Sequence, residues 1–146
     1  MNNLKLQSIG VLVRIGCLIV FLLAPVQAAE KLCKILIKAA SSESGGQQFV
    51  DPGLEDTVKD LKRRAGSFDV VDDEASAELL MLVVSRDDTP VSGQRTAKRV
   101  TVTLSVKDGT SWKPGAKISK VSQSWGLSSL NVIGEAKKWV KANAGK

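Results

Sequence analysis

The chemistry open to this chain is limited first by what it lacks, because the sequence contains no histidine and no tyrosine. Without histidine, Ser-His-Asp and Cys-His nucleophile systems, imidazole acids and bases and nearly all catalytic zinc sites are excluded. Carboxylates remain, and a pair of carboxylates can hydrolyse a glycan. The candidates are Glu43, Asp51 and Asp73, although nothing in their spacing selects a pair. A carboxylate-dependent hydrolase acting on an envelope glycan is therefore one functional hypothesis.

Two segments resemble ligand loops without keeping the residues that such loops need. Residues 41–48 are rich in serine and glycine and lie between a predicted strand and a predicted helix. They contain no lysine, and Glu43 would repel phosphate, so they do not match a Walker A loop. The acids at 72–74 lack the alternating oxygen ligands, the glycine and the terminal glutamate of a calcium loop. The sequence predicts neither a metal site nor a cofactor.

Basic residues form the second group with potential chemistry. Arg95, Lys98 and Arg99 place three positive charges near the start of a predicted strand. An ordinary solvated surface is the favoured interpretation, and a patch that binds an anionic polymer is the alternative. The basic run at 62–64 ends a predicted helix, where the helix dipole already accounts for it.

The three tryptophans stand out because aromatic residues make up only 4% of the chain. Trp139 falls on the apolar stripe of a predicted helix, whereas Trp112 and Trp125 flank a segment with lysine, glycine and proline. We interpret core packing as the favoured role of these two, with one of them closing the core and the other exposed for binding as the alternative. Trp112 joins the three basic residues as a candidate binding residue.

Residues 1–28 are predicted to be a secretory signal peptide. Lys5 and Arg14 are their only charged residues, an apolar run follows at 15–24, and Val26-Gln27-Ala28 supplies small side chains for cleavage. An uncleaved anchor would carry Arg14 into the bilayer, at a cost of about 2.5–3.5 kcal/mol. The predicted location is the periplasm or the extracellular medium, with no membrane span after cleavage.

The two cysteines have different interpretations. Lipoprotein processing at Cys17 is disfavoured because Arg14 stands where an apolar residue is wanted and the apolar run continues beyond the cysteine. Cleavage would leave Cys33 alone and, by removing two positive charges, would lower the formal net charge from +6 to +4. A single thiol cannot form an internal disulfide. We interpret Cys33 as a buried residue of the first strand, with an intermolecular disulfide as the alternative.

The signal peptide gives the first testable prediction. The exported protein should begin at Ala29, because the charge, the apolar run and the small residues stand in the order that signal peptidase requires. Intact-mass spectrometry of the exported protein measures this directly. A mass that still includes residues 1–28, or a lipid on Cys17, contradicts the prediction.

The first half of the remaining chain predicts a strand, a helix and a short strand. Residues 31–39 are predicted as a strand that buries Leu32, Ile35 and Ile37, and residues 40–50 as a loop. Asp51 and Pro52 begin a helix that Gly66 ends. The helix has one apolar stripe, made by Leu54, Val58, Leu61 and Ala65. A short strand follows at 68–71 and a turn at 72–75.

The second half predicts a strand-rich region closed by a helix. Residues 79–84 are continuously apolar and predict a central strand covered on both faces. Residues 87–98 are polar and predict a mobile connection, whereas residues 99–107 alternate and predict a strand with one face in water. Residues 117–125 predict a weaker edge strand. The final helix is predicted over 129–143, and its apolar stripe consists of Val132, Ile133, Ala136, Trp139 and Val140.

The predicted fold class is α+β, with a four- to five-stranded, mostly antiparallel sheet and two helices in the order β-α-β-β-β-β-α. Residues 29–146 show no linker and no internal repeat. We therefore expect a single α/β domain at 29–146.

Several short motifs resemble those of small secreted bacterial proteins of unassigned function. They are Thr57-Val-Lys-Asp-Leu-Lys62, Phe68-Asp-Val-Val-Asp72, Ala77-Glu-Leu-Leu80 before an apolar strand and Ser85-Arg86, Trp125, and Lys138-Trp-Val-Lys-Ala-Asn143. More distantly, the order of elements is similar to the amino-terminal α/β domain of TolB-like envelope assembly proteins. That resemblance implies a domain that binds other proteins and is not an enzyme.

The sequence thus leaves two functional hypotheses from different classes. The first is a secreted or periplasmic non-enzymatic binding or assembly module, whose partner is an envelope protein or an anionic envelope polymer and not nucleic acid. The second is the carboxylate-dependent hydrolase. A converging acidic pair in a deep pocket would favour the hydrolase, and a shallow surface with an exposed Trp112 or Trp125 would favour the binding module.

Overall fold

A computed structural model describes residues 31–44, 47–93 and 95–143. Its elements in chain order are β1 (Lys34–Ala39), β2 (Ser41–Ser44), β3 (Gln47–Val50), α1 (Pro52–Arg64), β4 (Asp69–Val71), β5 (Leu79–Val91), β6 (Arg95–Asp108), β7 (Ser111–Ser122) and α2 (Trp125–Asn143). The predictions for the signal peptide and Cys17 lie outside the described residues, as does the side chain of Glu43.

The main sheet has five strands in the order β4-β1-β5-β6-β7. β1 pairs in parallel with both β4 and β5, whereas β5, β6 and β7 pair in antiparallel fashion. The parallel pairs require crossovers, which α1 supplies between β1 and β4. The predicted α+β class with a mostly antiparallel sheet and two helices is confirmed.

Both helices pack on one face of this sheet and enclose the core there. Apolar residues from the sheet and from both helices meet in one cluster. The fully buried members include Ile35, Ile37, Leu61, Phe68, Met81, Val83, Val100, Val102, Leu104, Val132 and Ala136. Trp139 and Val140 pack against this cluster at its margin, so the predicted stripe of the final helix is confirmed.

The first helix forms where its end signals predict. Asp51 is the N-cap and its carboxylate accepts a hydrogen bond from the Gly53 amide at 2.7 Å. Pro52 follows in the first turn, and the basic residues at 62–64 occupy the last turn. Leu54, Leu61 and Ala65 are buried and Val58 is half-buried, which confirms the predicted stripe.

The prediction that the central strand is covered on both faces is wrong for its second face. Leu79, Met81 and Val83 are buried beneath the helices, but the alternating residues Leu80 and Leu82 are only half-buried. We call this second side of the sheet the open face, because no described helix packs on it. Thr101 and Ser119 share a hydrogen bond there at 3.0 Å.

Two segments predicted as connections are paired strands. The predicted loop at 40–50 contains the hairpin β2–β3. The predicted mobile connection at 87–98 is also wrong: β5 continues to Val91 and β6 begins at Arg95, in register from Asp87↔Arg99 to Val91↔Arg95. Gly93 has φ +82° in the turn between them, a conformation that glycine adopts without strain.

The last strand and helix have different limits from those predicted. β7 begins at Ser111, well before residue 117, and its position at the end of the sheet confirms the predicted edge. Trp125 is not a strand residue but the first residue of α2, which begins before the predicted Ser129. Ser124 caps this helix, since its hydroxyl accepts from the Leu127 amide at 3.3 Å.

Candidate functional site

Strand alternation separates the three basic residues that the sequence groups together. On β6, Lys98 points to the helix-covered side with Val100, whereas Arg95 and Arg99 point to the open face. The Lys98 ammonium pairs with Asp88 at 2.5 Å and lies 5.2 Å from the centre of the Trp125 ring. Lys98 is therefore engaged within the fold, and two of the three predicted residues share a surface.

The two arginines lie beside exposed apolar side chains at the end of the β5–β6 hairpin. Val91 and Val121 are 45% and 46% exposed, and Val121 is the direct cross-strand partner of Arg99. Among the described residues, neither Arg95 nor Arg99 has a carboxylate within ion-pair distance. A shallow cleft of about 720 Å³ adjoins Val91, Arg95 and Val121. We call Val91, Arg95, Arg99 and Val121 the tip surface.

Trp112 lies far from the tip surface, because it pairs with Lys107 near the other end of β6. The ring is half-buried. Its Nε1 donates to the Glu74 carboxylate at 2.8 Å, and Glu74 also pairs with Lys38 at 3.0 Å. The hydrogen bonds from Trp112 and Lys38 hold the pKa of Glu74 below its usual value. Trp112 is thus bound into a local polar network.

Asp51 and Asp73, the two candidate carboxylates whose side chains are described, accept hydrogen bonds from separate sets of backbone amides. Asp51 caps α1, whereas Asp73 lies in the turn between β4 and β5 and accepts from the Ala75 and Ser76 amides. These backbone hydrogen bonds hold the pKa of Asp73 below its usual value. A glycosidase acid needs a raised pKa, so no observation on these residues favours hydrolysis. The described residues contain no cluster of three or more potential metal ligands.

The sequence analysis missed a small pocket where α1, the start of α2 and β5 meet. The pocket has a volume of about 320 Å³, and its lining includes Arg64, Arg86, Trp125 and Ser129. We call it the arginine pocket. The Arg86 guanidinium stacks on Trp125, 4.2 Å from the ring centre, and its Nη1 donates to the Gly53 carbonyl at 2.9 Å. These two contacts fix the plane of the guanidinium.

Asp60 is the acid most closely associated with this pocket. Its carboxylate accepts hydrogen bonds from Arg63 and from Arg64 Nε, the latter at 3.2 Å. Partial burial opposes its ionisation, but these hydrogen bonds outweigh burial and hold the pKa of Asp60 below its usual value. Arg63 and Arg64 therefore share the one negative charge of Asp60, and Arg86 has no described carboxylate within ion-pair distance.

Among the described residues of the arginine pocket, Ser129 has the one buried polar side-chain atom without a hydrogen-bond partner. The residue is fully buried. Its Oγ lies near enough to favour the ionised form of Asp60, but no described polar atom completes a hydrogen bond with it. A buried hydroxyl without a partner costs about 1–3 kcal/mol, so this atom is an exception that needs a structural explanation.

Cys33 is only half-buried and precedes β1, so the prediction of a buried residue within the first strand is wrong, although its side chain packs against the core. Burial raises the pKa of its thiol to about 11, and the nearby Glu78 carboxylate adds to the effect. A thiol held protonated is a poor nucleophile and a poor redox centre. These properties favour the packing interpretation over an intermolecular disulfide.

Comparison with known proteins adds no assignment to this geometry. No protein-family model matches the chain, and no curated protein matches it significantly. The resemblance to TolB-like domains stays an expectation from the sequence. In the described part of the chain, neither helix has the length and apolar character to cross a membrane.

Proposed function

We propose that this protein is an exported, non-enzymatic binding module whose tip surface recognises an acidic segment of an envelope protein. One observation carries the proposal. Arg95 and Arg99 lie on the same side of β6 beside the half-exposed Val91 and Val121, and neither forms an ion pair among the described residues, although Asp87 stands opposite Arg99.

The combination of charge and apolar area favours a protein over a polysaccharide or a polyphosphate. Arginine is enriched at protein interfaces, where its planar group binds carboxylates through paired hydrogen bonds. Half-exposed valines add apolar area that a protein segment covers and a highly charged polymer does not. The strands beneath are paired on both sides of the turn, so the surface is held in place before a partner arrives.

Two parts of the proposal, export from the cell and a protein as the partner, are supported by the sequence. The predicted signal peptide directs the protein to the envelope, where nucleic acid is scarce. The resemblance to TolB-like domains implies binding to other proteins, which agrees with the apolar and basic character of the tip surface.

The double variant Arg95→Gln/Arg99→Gln should lose most capture of envelope proteins at low salt. Its free energy of unfolding should stay within about 0.5 kcal/mol of wild type, because exposed charges contribute little to stability. Capture by the wild-type protein should decrease as salt rises past about 0.1 M, where the screening length is about 10 Å. The measurement is affinity capture from envelope extracts, with mass spectrometry of the bound proteins.

A charge-matched control is Lys59→Gln/Lys138→Gln, which removes two cations that are both 76% exposed on the helices. It should capture as wild type does. Val121→Ser tests the apolar part and should also weaken capture. If the arginine variant captures as much as the control, the tip surface is only a solvated face. If capture persists after protease treatment of the extract, and Val121→Ser captures as much as wild type, the partner is an anionic polymer and the protein assignment is wrong.

A further inference from the structure

We propose that the arginine pocket is a second binding site, specific for a carboxylate group. It lies on the helix-covered side of the sheet, where Arg86 pairs with Val100, whereas the tip surface lies on the open face. The inference stands independently of the proposed function, because the two sites share no residue.

The charge around the pocket favours an anion. α2 begins at Trp125 and has no acidic residue in its first turn, although the first turn of a helix carries unsatisfied amides and the positive end of the dipole. Two guanidinium groups, those of Arg64 and Arg86, line the pocket beside this helix end. Arg64 approaches so closely that a Cβ on Gly126 would meet its Nη2. A side chain at Gly126 would displace the end of Arg64 from this position.

Arg86 is arranged to bind rather than only to support the fold. A guanidinium has five N–H donors, and the described hydrogen bonds of Arg86 use one nitrogen, Nη1, on the Gly53 carbonyl. Stacking on Trp125 holds the remaining donors in one plane, which is the geometry that a carboxylate accepts through two parallel hydrogen bonds. The orientation is therefore established before a ligand binds.

Ser129 supplies an independent observation that points to a ligand. It is completely buried, it lines the pocket and its Oγ has no described hydrogen-bond partner. The Ser129 Oγ has almost no accessible surface, so its side chain must rotate toward the pocket before a carboxylate oxygen held by the arginines accepts its hydroxyl proton. Buried polar groups in folded proteins almost always have a hydrogen-bond partner. The Ser129 hydroxyl is an exception, and it belongs to a residue that lines the arginine pocket.

The acids in the same pocket select a single negative charge. Asp56 and Asp60 also line it, and both repel anions. With Arg63, Arg64 and Arg86 in the same lining, the net charge is +1, which one negative charge balances. A phosphate dianion would gain attraction, but its desolvation cost rises with the square of its charge and outweighs that gain. The volume of about 320 Å³ is at the small end of ligand sites, which suits a short monocarboxylic acid or one acidic side chain of a partner protein.

The experiment follows the indole N–H resonance of Trp125 by two-dimensional NMR in low-salt buffer. The resonance is assigned by its absence from Trp125→Phe. Titration with acetate should shift it in a saturable manner, and inorganic phosphate at pH 8 should bind at least about tenfold more weakly. Arg86→Gln should raise the acetate dissociation constant at least about tenfold, which corresponds to 1.4 kcal/mol.

Two further variants keep the result interpretable if Arg86→Gln does not fold. Arg86→Lys keeps the charge but loses the planar guanidinium and should also weaken acetate binding. Ser129→Ala removes only the hydroxyl group, adds no bulk to the pocket, and should weaken acetate binding as well. Arg99→Gln on the open face is the matched control and should bind acetate as wild type does. Acetate binding that is the same in wild type, Arg86→Lys and Ser129→Ala overturns the proposal, as does phosphate binding as tight as acetate.

A peptide pair identifies the source of the carboxylate. A short peptide with one glutamate and blocked termini is compared with its glutamine counterpart. If the glutamate peptide binds at least about tenfold more tightly than acetate and the glutamine peptide does not bind, the site takes an acidic side chain of a partner. If it binds no better than acetate, the site takes a free small acid. The capture experiment with the tip-surface variants is unaffected by either result.

Discussion

Leu61→Ala should lower the free energy of unfolding by about 2–5 kcal/mol. Leu61 is 0% exposed and belongs to the cluster that joins α1 to β1 and β5. Truncation removes apolar contacts and leaves a cavity that the surrounding rigid sheet cannot fill. Because a small domain has a total stability of about 5–15 kcal/mol, the loss is a large part of it. Urea denaturation followed by circular dichroism measures the change.

Lys59→Ala on the same helix is the matched control. Lys59 is exposed and pairs only with Asp56, also exposed, at 3.4 Å, and such pairs contribute little. Lysine and leucine have similar helix propensities, so the difference between the two variants isolates burial. We expect less than about 1 kcal/mol for Lys59→Ala. A loss below about 1 kcal/mol for Leu61→Ala would show that the stripe of α1 does not face the core.

The sequence predicts α1 well because every determinant of this helix is local. Its cap, its first-turn proline, its stripe and its basic last turn lie within one short segment, and the structure confirms each of them. The class of the fold also follows, because two amphipathic helices and a set of short strands permit few arrangements. These inferences do not depend on contacts between distant residues.

The outer part of the β5–β6 hairpin is not predictable from apolar periodicity. Its residues are polar and include Pro90, which is tolerated because β1 pairs with β5 only as far as Val83. The available signal is charge complementarity across the turn: Asp88 stands opposite Lys98, and the two form an ion pair. Such cross-strand pairs stabilise a hairpin.

The candidate sites differ in how much the sequence reveals. Arg95 and Arg99 are visible as a basic group, but only the strand register separates them from Lys98. The arginine pocket brings together residues of α1, β5 and α2, and spacing along the chain carries no information about this meeting. Near the start of α2, the sequence shows only a glycine at 126 and a first turn without acidic residues. Neither feature indicates a binding site unless the pocket residues of α1 and β5 are also known to lie there.

Gly115→Ala should destabilise the protein by about 1–3 kcal/mol, although glycine is usually unfavourable within a strand. The reason is the packing of α2 on the edge strand β7. A Cβ at position 115 would lie 2.8 Å from two atoms of the Trp139 ring, Cζ2 and Cη2, and 3.1 Å from the Leu104 carbonyl oxygen. The ring, the strand or both must shift to accept it. Thermal or urea denaturation gives the change.

The matched control is Gly134→Ala on α2, where a Cβ would meet nothing within 4 Å. It should stabilise the protein by about 0.4–1 kcal/mol, because alanine restricts the unfolded chain and favours the helix. Trp139→Phe removes the ring atoms that oppose a Cβ at 115, so Gly115→Ala should cost at least about 1 kcal/mol less in that background. If Gly115→Ala stabilises the wild-type protein as Gly134→Ala does, Trp139 does not hold α2 against β7, and the docking of the final helix needs revision.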